Sequence, residues 1–432
     1  MALQGSPRAG PLAGVHILDF TVYVNGPLAT SMAVENGADV IKVEPAEGEG
    51  MRIMAGAARN FRRFEVENQG KLSMTLDLKH PGAIVVVERL VRGWADVVCE
   101  NFRPGIMEKL GLGYEQLRAW NPRIIYASNS GFGPAGEFSQ DACFDGVAQA
   151  FSGMATAQGG GPSHSPVLVR SLFSDQAGAM TFFSSILSAL VARSRTGEGQ
   201  RLVTSQLGAT LHFQRSDLEE SLRYGRERDD GRPPWYKSLF QTTQCGSDGK
   251  WFIMSLVQQV MFERLCRGVI NRPELLEHPR VRELGWPRCL SDADFECRLH
   301  ETLSEIVARA PRDRWLELCR AAQVPAAPCS SYREILDEGS PVNRHLRENG
   351  YLQTVEHRHF GPTAAVASPV EFHGTPTAAL DQRGSWHAPL LGEHTVEVLV
   401  SAAGYTREEA LELVASGVCP RPEPRFAGYA KL

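Results

Sequence analysis

The chain has 432 residues, 43% of them hydrophobic and 22% charged, with a net charge of −5 from 45 basic and 50 acidic side chains. That length allows two or more domains with real cores, and the even charge balance, without a basic block, argues against nucleic acid as a partner. Nine scattered cysteines, an odd number with no Cys-x-x-Cys pair, suit free thiols in a reducing compartment better than disulfides or a zinc site.

Met1 to Gly10 is short and polar and lacks the apolar core of a secretory signal. The chain therefore reads as cytoplasmic, with a mitochondrial location as the alternative in a eukaryotic source. From Pro11 to Ser130, apolar strands alternate with helical segments. Val15 to Phe20 reads as a strand, Pro27 to Asn36 as a helix closed by Gly37, and Ala38 to Val43 as a second strand. Leu72 to Leu76, Ala95 to Glu100 and Arg123 to Ser130 are further strands, and Pro81 to Arg92 is a helix with Pro at its start and Gly93 after it. This alternation predicts an α/β fold with a parallel sheet covered by helices, in which ligands sit at the carboxyl ends of the strands.

The turn after the first strand, Thr21 to Pro27, is not Gly-x-Gly-x-x-Gly, so the dinucleotide fingerprint is absent. The loop Glu100-Asn101-Phe102-Arg103-Pro104-Gly105 sets an amide, a ring and a guanidinium at a strand end. That set suits a nucleotide base and a phosphate, and equally a polar loop with a surface ion pair. Ala142 to Thr156 reads as a helix with Asp145, Gln149 and Ser152 on one side.

A Gly/Pro/Ser-rich loop, Gly159 to Pro166, leads into Ser174, Asp175 and a long apolar helix. Its most apolar run, Thr181 to Val191, is about eleven residues, well short of the ~20 that span a bilayer, so it reads as buried. Asp175 falls in the first turn, where free N–H groups and the helix dipole would hold it ionised. As a residue pattern it is either an N-cap or a reactive carboxylate. Arg201 to Ser205 follows as a strand and Gln206 to Arg215 as a helix.

Residues 216–235 are charged and end in Pro233-Pro234, a linker. A small module, 236–323, then restarts with strands at Phe240 to Gln244 and Trp251 to Leu256. Helices follow at Val257 to Gly268, Ala293 to Arg309 and Arg312 to Ala322. A break at Val324 to Pro328 opens the last segment, 324–432, with strands at Leu352 to Glu356 and Ala364 to Ser368 and a closing helix at Arg407 to Ser416. The linker and module follow a first domain over 1–215.

Six stretches together resemble the family III CoA-transferases, which include formyl-CoA transferase and carnitine CoA-transferase. They are Pro11 to Thr21, Gly37 to Pro45, Gly70-Lys71 running into Leu76-Asp77-Leu78-Lys79, Ala95 to Gly105, Asn121 to Ser128, and Pro389-Leu390-Leu391-Gly392-Glu393-His394. None is specific alone; their common order is. The resemblance implies a Rossmann-like large domain, with the 324–432 segment returning to it, a smaller α+β domain, and an interlocked homodimer. It implies an enzyme moving CoA from an acyl-CoA, with succinyl-CoA as the default donor, to a carboxylic acid, with coenzyme A as substrate, no permanently bound cofactor and no metal. Asp175 matches the family nucleophile, which forms an anhydride and then an aspartyl–CoA thioester, and Gln176 and Ala177 would offer N–H groups to the oxyanion. Asp145 matches a supporting acid. Val24, Asn25, Leu76, Lys79, Asn101, Phe102, Arg103 and Lys109 match CoA-binding positions. Pro45 stands where formyl-CoA transferase has an arginine, a charge that Lys42 or Arg52 would replace. Asp229 to Pro234 has one glycine where that enzyme has a glycine-rich lid. The alternatives are an α-methylacyl-CoA racemase, disfavoured by Phe144 in place of a proton-shuttling His, and a non-catalytic CoA-binding subunit.

Overall fold

A computed structural model describes residues 9–54, 58–225, 239–357, 361–377 and 387–422. The chain divides into two compact units, Met1–Asp230 with Tyr351–Leu432, and Gly231–Gly350.

The first unit is built on a six-stranded parallel sheet: β1 (His16–Asp19), β2 (Asp39–Glu44), β3 (Leu72–Thr75), β4 (Val97–Glu100), β5 (Ile125–Ser130) and β6 (Arg201–Ser205). Their order across the sheet is β3-β2-β1-β4-β5-β6. The central strands carry short apolar runs, Ile17-Leu18, Val40-Ile41, Val97-Val98-Cys99 and Ile125-Tyr126-Ala127, because both faces are covered there. Ile17 stands beside Val40 and Val97, and Val97 beside Ile125; this row packs on the helices Asn25–Glu35 and Phe173–Thr196. One residue on, Leu18, Ile41, Val98 and Tyr126 face the other way, onto the helices Ala83–Gly93, Thr395–Ser401 and Arg407–Ala415. The expected α/β class with a parallel sheet is therefore what the chain forms.

The C-terminal segment joins this unit through backbone pairing as well as apolar contact. His394 N–H donates to the Ser73 carbonyl (2.9 Å), and Asp77 N–H to the Val418 carbonyl (3.0 Å). Thr75 N–H donates to Thr395 Oγ1 (3.1 Å). Buried His357 Nε2 meets Glu65 Oε1 at 2.9 Å. His357 ends β10 (Leu352–His357), which pairs antiparallel with β11 (Gly361–Val366).

Several local boundaries differ from the sequence reading. Ala142 to Thr156 is two helices, Asp145–Phe151 and Met154–Gly159, because Gly153 turns left-handed (φ 81°) between them. Residues Arg215–Tyr224, read as the start of a linker, are helical, with Arg223 paired to Glu219 one turn back. The long apolar helix is Phe173–Thr196, 24 residues, long and apolar enough by composition to cross a membrane. Phe182 and Ile186 pack it on the sheet, while Met180 and Val191 are exposed.

In the second unit, β7 (Gln241–Cys245), β8 (Trp251–Ser255) and β9 (Ala326–Pro328) form an antiparallel sheet. The expected break at 324–328 is thus a strand on β8, and the compact unit runs on to Gly350 rather than ending at 323. Its core gathers Phe252, Phe262, Trp286, Leu303 and Trp315. The segment Asp229 to Pro234 lies outside the described residues.

Candidate active site

The loops that begin at Thr21 and Asn101 follow β1 and β4 at the carboxyl ends of the parallel strands. β1 and β4 are neighbours whose connections leave in opposite directions, and that switch point opens a crevice between their following loops. Asn101 bridges the two loops: its Oδ1 accepts from Val22 N–H and its Nδ2 donates to the Val22 carbonyl, both at 2.8 Å.

Asp175 is the third residue of the helix Phe173–Thr196, which begins after Leu172 in a left-handed conformation (φ 51°). Asp175 is therefore not the N-cap. The cap function comes from Asp145, whose Oδ1 accepts from Ser174 N–H (2.8 Å) and Asp175 N–H (3.3 Å). The other Asp145 oxygen accepts from Gln149 Nε2 (2.7 Å). Gln149 also pairs with the backbone of Val169 on both sides, 2.8 Å and 3.0 Å, and so ties the Gly/Pro loop to the helix Asp145–Phe151. The sequence spacing of Asp145 and Gln149 had already put them on one face.

This arrangement removes the expected source of the Asp175 charge. The N–H groups that would have held its charge serve Asp145 instead. Burial and the Asp145 charge push the Asp175 carboxyl up to about 7, against the opposing pull of the Arg63 guanidinium. Asp175 Oδ1 accepts from Gln206 Nε2 at 2.7 Å. Gln206 is buried at the start of the helix Gln206–Phe213, where Ser205 Oγ caps Gly208 N–H at 3.0 Å. The suggested oxyanion donors are also corrected. Gln176 N–H donates to the Leu172 carbonyl at 3.0 Å, and Ala177, fifth in the helix, has its N–H in the same ladder.

The positions matched to CoA binding divide into two groups. Arg103 and Lys109, after β4, and Lys79, after β3, are exposed cations, and Asn101 and Phe102 are half-buried beside them in sequence. Val24, Asn25 and Leu76 point inward. Val24 packs with Met51, Phe64 and Ala388. Leu76 is in the core, so its side chain is closed to a ligand. Asn25 is hydrogen-bonded to Asn129 Nδ2 and lies against Gly178, where a Cβ would stand 2.0 Å from Asn25 Nδ2. Gly178 is thus the residue that lets the first-turn helix approach the Asp175 helix.

Lys42 and Arg52 do not replace a charge at Pro45. Lys42 is fully buried with Nζ on the Thr21 carbonyl (2.9 Å), and Arg52 grips Glu44 through Nε (2.7 Å) and the Pro389 carbonyl through Nη2 (2.8 Å). Sequence reasoning missed Gln206, Arg63, Glu49 and Glu67. Gln206 had a usable signal, a polar side chain directly after a parallel strand. The other three sit in polar runs that look like solvated helix faces. Phe144, the residue that replaces a possible shuttling His, is exposed and packs edge-on against Tyr23 (5.3 Å).

The description "CoA-transferase family III" matches residues 12–395. The chain belongs to CoA-transferase family III. It is 36% identical over 384 residues to the acetyl-CoA:oxalate CoA-transferase of Acetobacter aceti, covering 87% of this chain and 94% of that one. It is 30% identical over 438 residues to the formyl-CoA:oxalate CoA-transferase of Streptomyces coelicolor, covering 95% and 99%. The solved structure of Rv3272 from Mycobacterium tuberculosis superposes with a TM-score of 0.75 at 29% identity, covering 90% and 98%. A CAIB/BAIF family protein from Brucella suis superposes with a TM-score of 0.73 at 26% identity, covering 91% and 100%. As a member of the family the protein is an enzyme that moves CoA between an acyl-CoA and a carboxylic acid, with coenzyme A as co-substrate.

Proposed function

We propose that Asp175 is the nucleophile of this CoA-transferase, and that oxalate or a similarly small dicarboxylic acid is its acceptor. The observation that carries the first part is the pair of contacts around Asp175. Asp145 takes the helix-end N–H groups, and Gln206 holds one Asp175 oxygen. The carboxyl is left half-buried and without an ion-pair partner among the described residues, so it is more basic than an ordinary aspartate and a better attacking group. The relatives' names support the second part.

In this reading the free Asp175 oxygen attacks the thioester carbonyl of the donor. The C–S bond breaks, and CoA leaves as thiolate with the electron pair, giving an aspartyl anhydride. The thiolate attacks the aspartyl carbonyl, the donor acid departs as carboxylate, and an aspartyl–CoA thioester remains. The acceptor carboxylate repeats the sequence in reverse. The Gln206 amide stays on the aspartyl oxygen through each addition, where negative charge develops. Asp145 positions the helix end and does not react. Asn101 and Phe102 would take the CoA base, and Arg103, Lys79 and Lys109 its phosphates; Val24 and Asn25 would shape the pantetheine path. We place the working enzyme in the cytoplasm as an interlocked homodimer, a state that light scattering on the eluting peak measures.

The test is intact-protein mass spectrometry after incubation with formyl-, acetyl- and succinyl-CoA, followed by hydroxylamine, on the wild type and Asp175→Ala. A hydroxamate at Asp175 of the wild type is expected, and its absence with every donor would sink the reading. The donor that gives it identifies the acyl group.

A further inference from the structure

We propose that Tyr23 is a positioning residue for Asp175: its ring, held by a strained turn, steadies the chain segments from which the Asp175 helix starts. The inference rests on the reading of Asp175 as nucleophile and deepens it. Among the described residues, four that are not glycine have a left-handed backbone: Tyr23 (φ 65°), Leu172 (φ 51°), Asn271 (φ 51°) and Gln323 (φ 55°). Asparagine adopts that conformation readily, whereas Tyr and Leu do so at a cost that their surroundings must offset. Tyr23 lies in the turn after β1, and Leu172 directly precedes the Asp175 helix. Far apart in sequence, they pack on one cluster, Val24, Met51, Phe64 and Ala388.

Tyr23 is pinned from several sides. Its N–H donates to Glu49 Oε2 (3.1 Å), an oxygen that also accepts from Met51 N–H (2.7 Å). The preceding residue, Val22, is bound to Asn101 through both its N–H and its carbonyl. The ring lies against Gly50, where a Cβ would stand 2.5 Å from Tyr23 Cζ. It also meets the Phe144 ring edge-on, with centroids 5.3 Å apart.

Two routes lead from this ring to Asp175. Phe144 is the residue before the helix Asp145–Phe151, and its carbonyl accepts from Val147 N–H (2.9 Å) and Ala148 N–H (3.1 Å). A shift of Phe144 therefore moves that helix start, where Asp145 Oδ1 holds Ser174 N–H and Asp175 N–H. The other route runs through the shared cluster to Leu172, whose carbonyl accepts from Gln176 N–H (3.0 Å). The turn that carries Tyr23 also carries Val24 and Asn25, placed above on the pantetheine path. One side chain thus ties that path to the supports of the nucleophile. Attack on a thioester carbonyl needs aligned atoms, and a misplacement of about 1 Å costs on the order of 10²-fold.

The experiment uses wild type, Tyr23→Phe, Tyr23→Asn, Gly50→Ala and the Tyr23→Asn/Gly50→Ala double variant. Each is charged with the donor among formyl-, acetyl- and succinyl-CoA that charges the wild type, and the Asp175 adduct is timed by quenched-flow mass spectrometry across donor concentrations. Tyr23→Asn keeps the left-handed backbone and removes the ring, whereas Gly50→Ala keeps the ring and displaces it. Each should slow charging at saturating donor by about 10–100-fold, with the half-saturating concentration within about threefold of wild type. Tyr23→Phe keeps the ring and should charge within about twofold of the wild-type rate. The double variant should be no slower than Tyr23→Asn alone, because Gly50→Ala then has no ring to displace. A wild-type rate in either Tyr23→Asn or Gly50→Ala overturns the inference. So does a Tyr23→Phe protein as slow as Tyr23→Asn, a Gly50→Ala loss of equal size with and without the ring, or a loss confined to the half-saturating concentration. Failure of even the wild type to form an adduct overturns the nucleophile reading, and this inference with it.

Discussion

Two groups of acids in the first unit are wired in opposite ways. In one, Asp19 and Glu44 are wholly buried but compensated. Asp19 accepts from Thr21 N–H (2.9 Å), Thr30 Oγ1 (2.7 Å) and Lys71 Nζ (3.0 Å), and Glu44 is held by Arg52 and by Ser73 Oγ (3.1 Å). Burial works to raise both carboxyls, but the Lys71 and Lys42 charges carry Asp19 below its ordinary range, and Arg52 does the same for Glu44. In the other cluster, Asp145 takes the helix N–H groups, and burial raises Asp175, Glu67 and Glu49 against the opposing charges of Arg63, Lys71 and Lys42. The first cluster is a brace. The second is a place where charge can appear and vanish during a reaction. The difference is who faces each acid, not how deeply it lies.

That contrast can be broken by exchanging the consequences of mutation. Asp175→Ala should cost roughly 10³-fold or more in transfer while the far-UV spectrum stays native. A mutant that retains even a tenth of the activity would move the nucleophile elsewhere. Lys71→Met should act on stability instead, lowering the unfolding free energy by about 3–5 kcal/mol in denaturant titration, because it leaves Asp19 buried without its cation. An unchanged midpoint would mean that Asp19 is not charged in the brace.

Gln206→Leu should lower kcat by roughly 10–100-fold with normal folding, since it removes a hydrogen bond to a charged group. Gly178→Ala should destabilise by about 1–3 kcal/mol, because the added carbon meets Asn25. Equal stability would show that Asn25 moves aside freely.

The smallest effect concerns pH and stability. Asp175 titrates near 7 in the folded chain, against an ordinary value of 3.8. The folded state therefore holds the extra proton, and the stability it contributes below about pH 4 is lost as pH rises towards about 7. Asp175→Asn should match the wild type near about pH 4 and exceed it by about 1–3 kcal/mol near about pH 8. Adduct formation should run the other way, falling as pH drops through about 7 and the nucleophile is protonated. A rate that is flat across this range would show that Asp175 is ionised throughout.

The sheet was legible in the sequence because β1, β2, β4 and β5 are covered on both faces, and two-sided burial writes a short apolar run into each of them. The position of Asp175 was legible too, as the acid that opens a long apolar helix after a Gly/Pro loop. Its protonation was not, because the acceptor that takes the helix-end N–H groups, Asp145, lies thirty residues earlier. The module boundary at 323 was set by Pro325 and Pro328, yet Pro325 precedes and Pro328 ends a strand that β8 recruits.

The sequence by itself determined the alternation of elements, the family and the position of the acid proposed here as nucleophile, since these rest on local periodicity and on ordered motifs. Only the tertiary structure decided which acids are braced and which are left bare. Lys71 reaches Asp19 across 52 positions, and Gln206 reaches Asp175 across 31. A carboxyl's charge depends on the atoms within a few ångströms of it, and folding, not sequence neighbourhood, chooses those atoms.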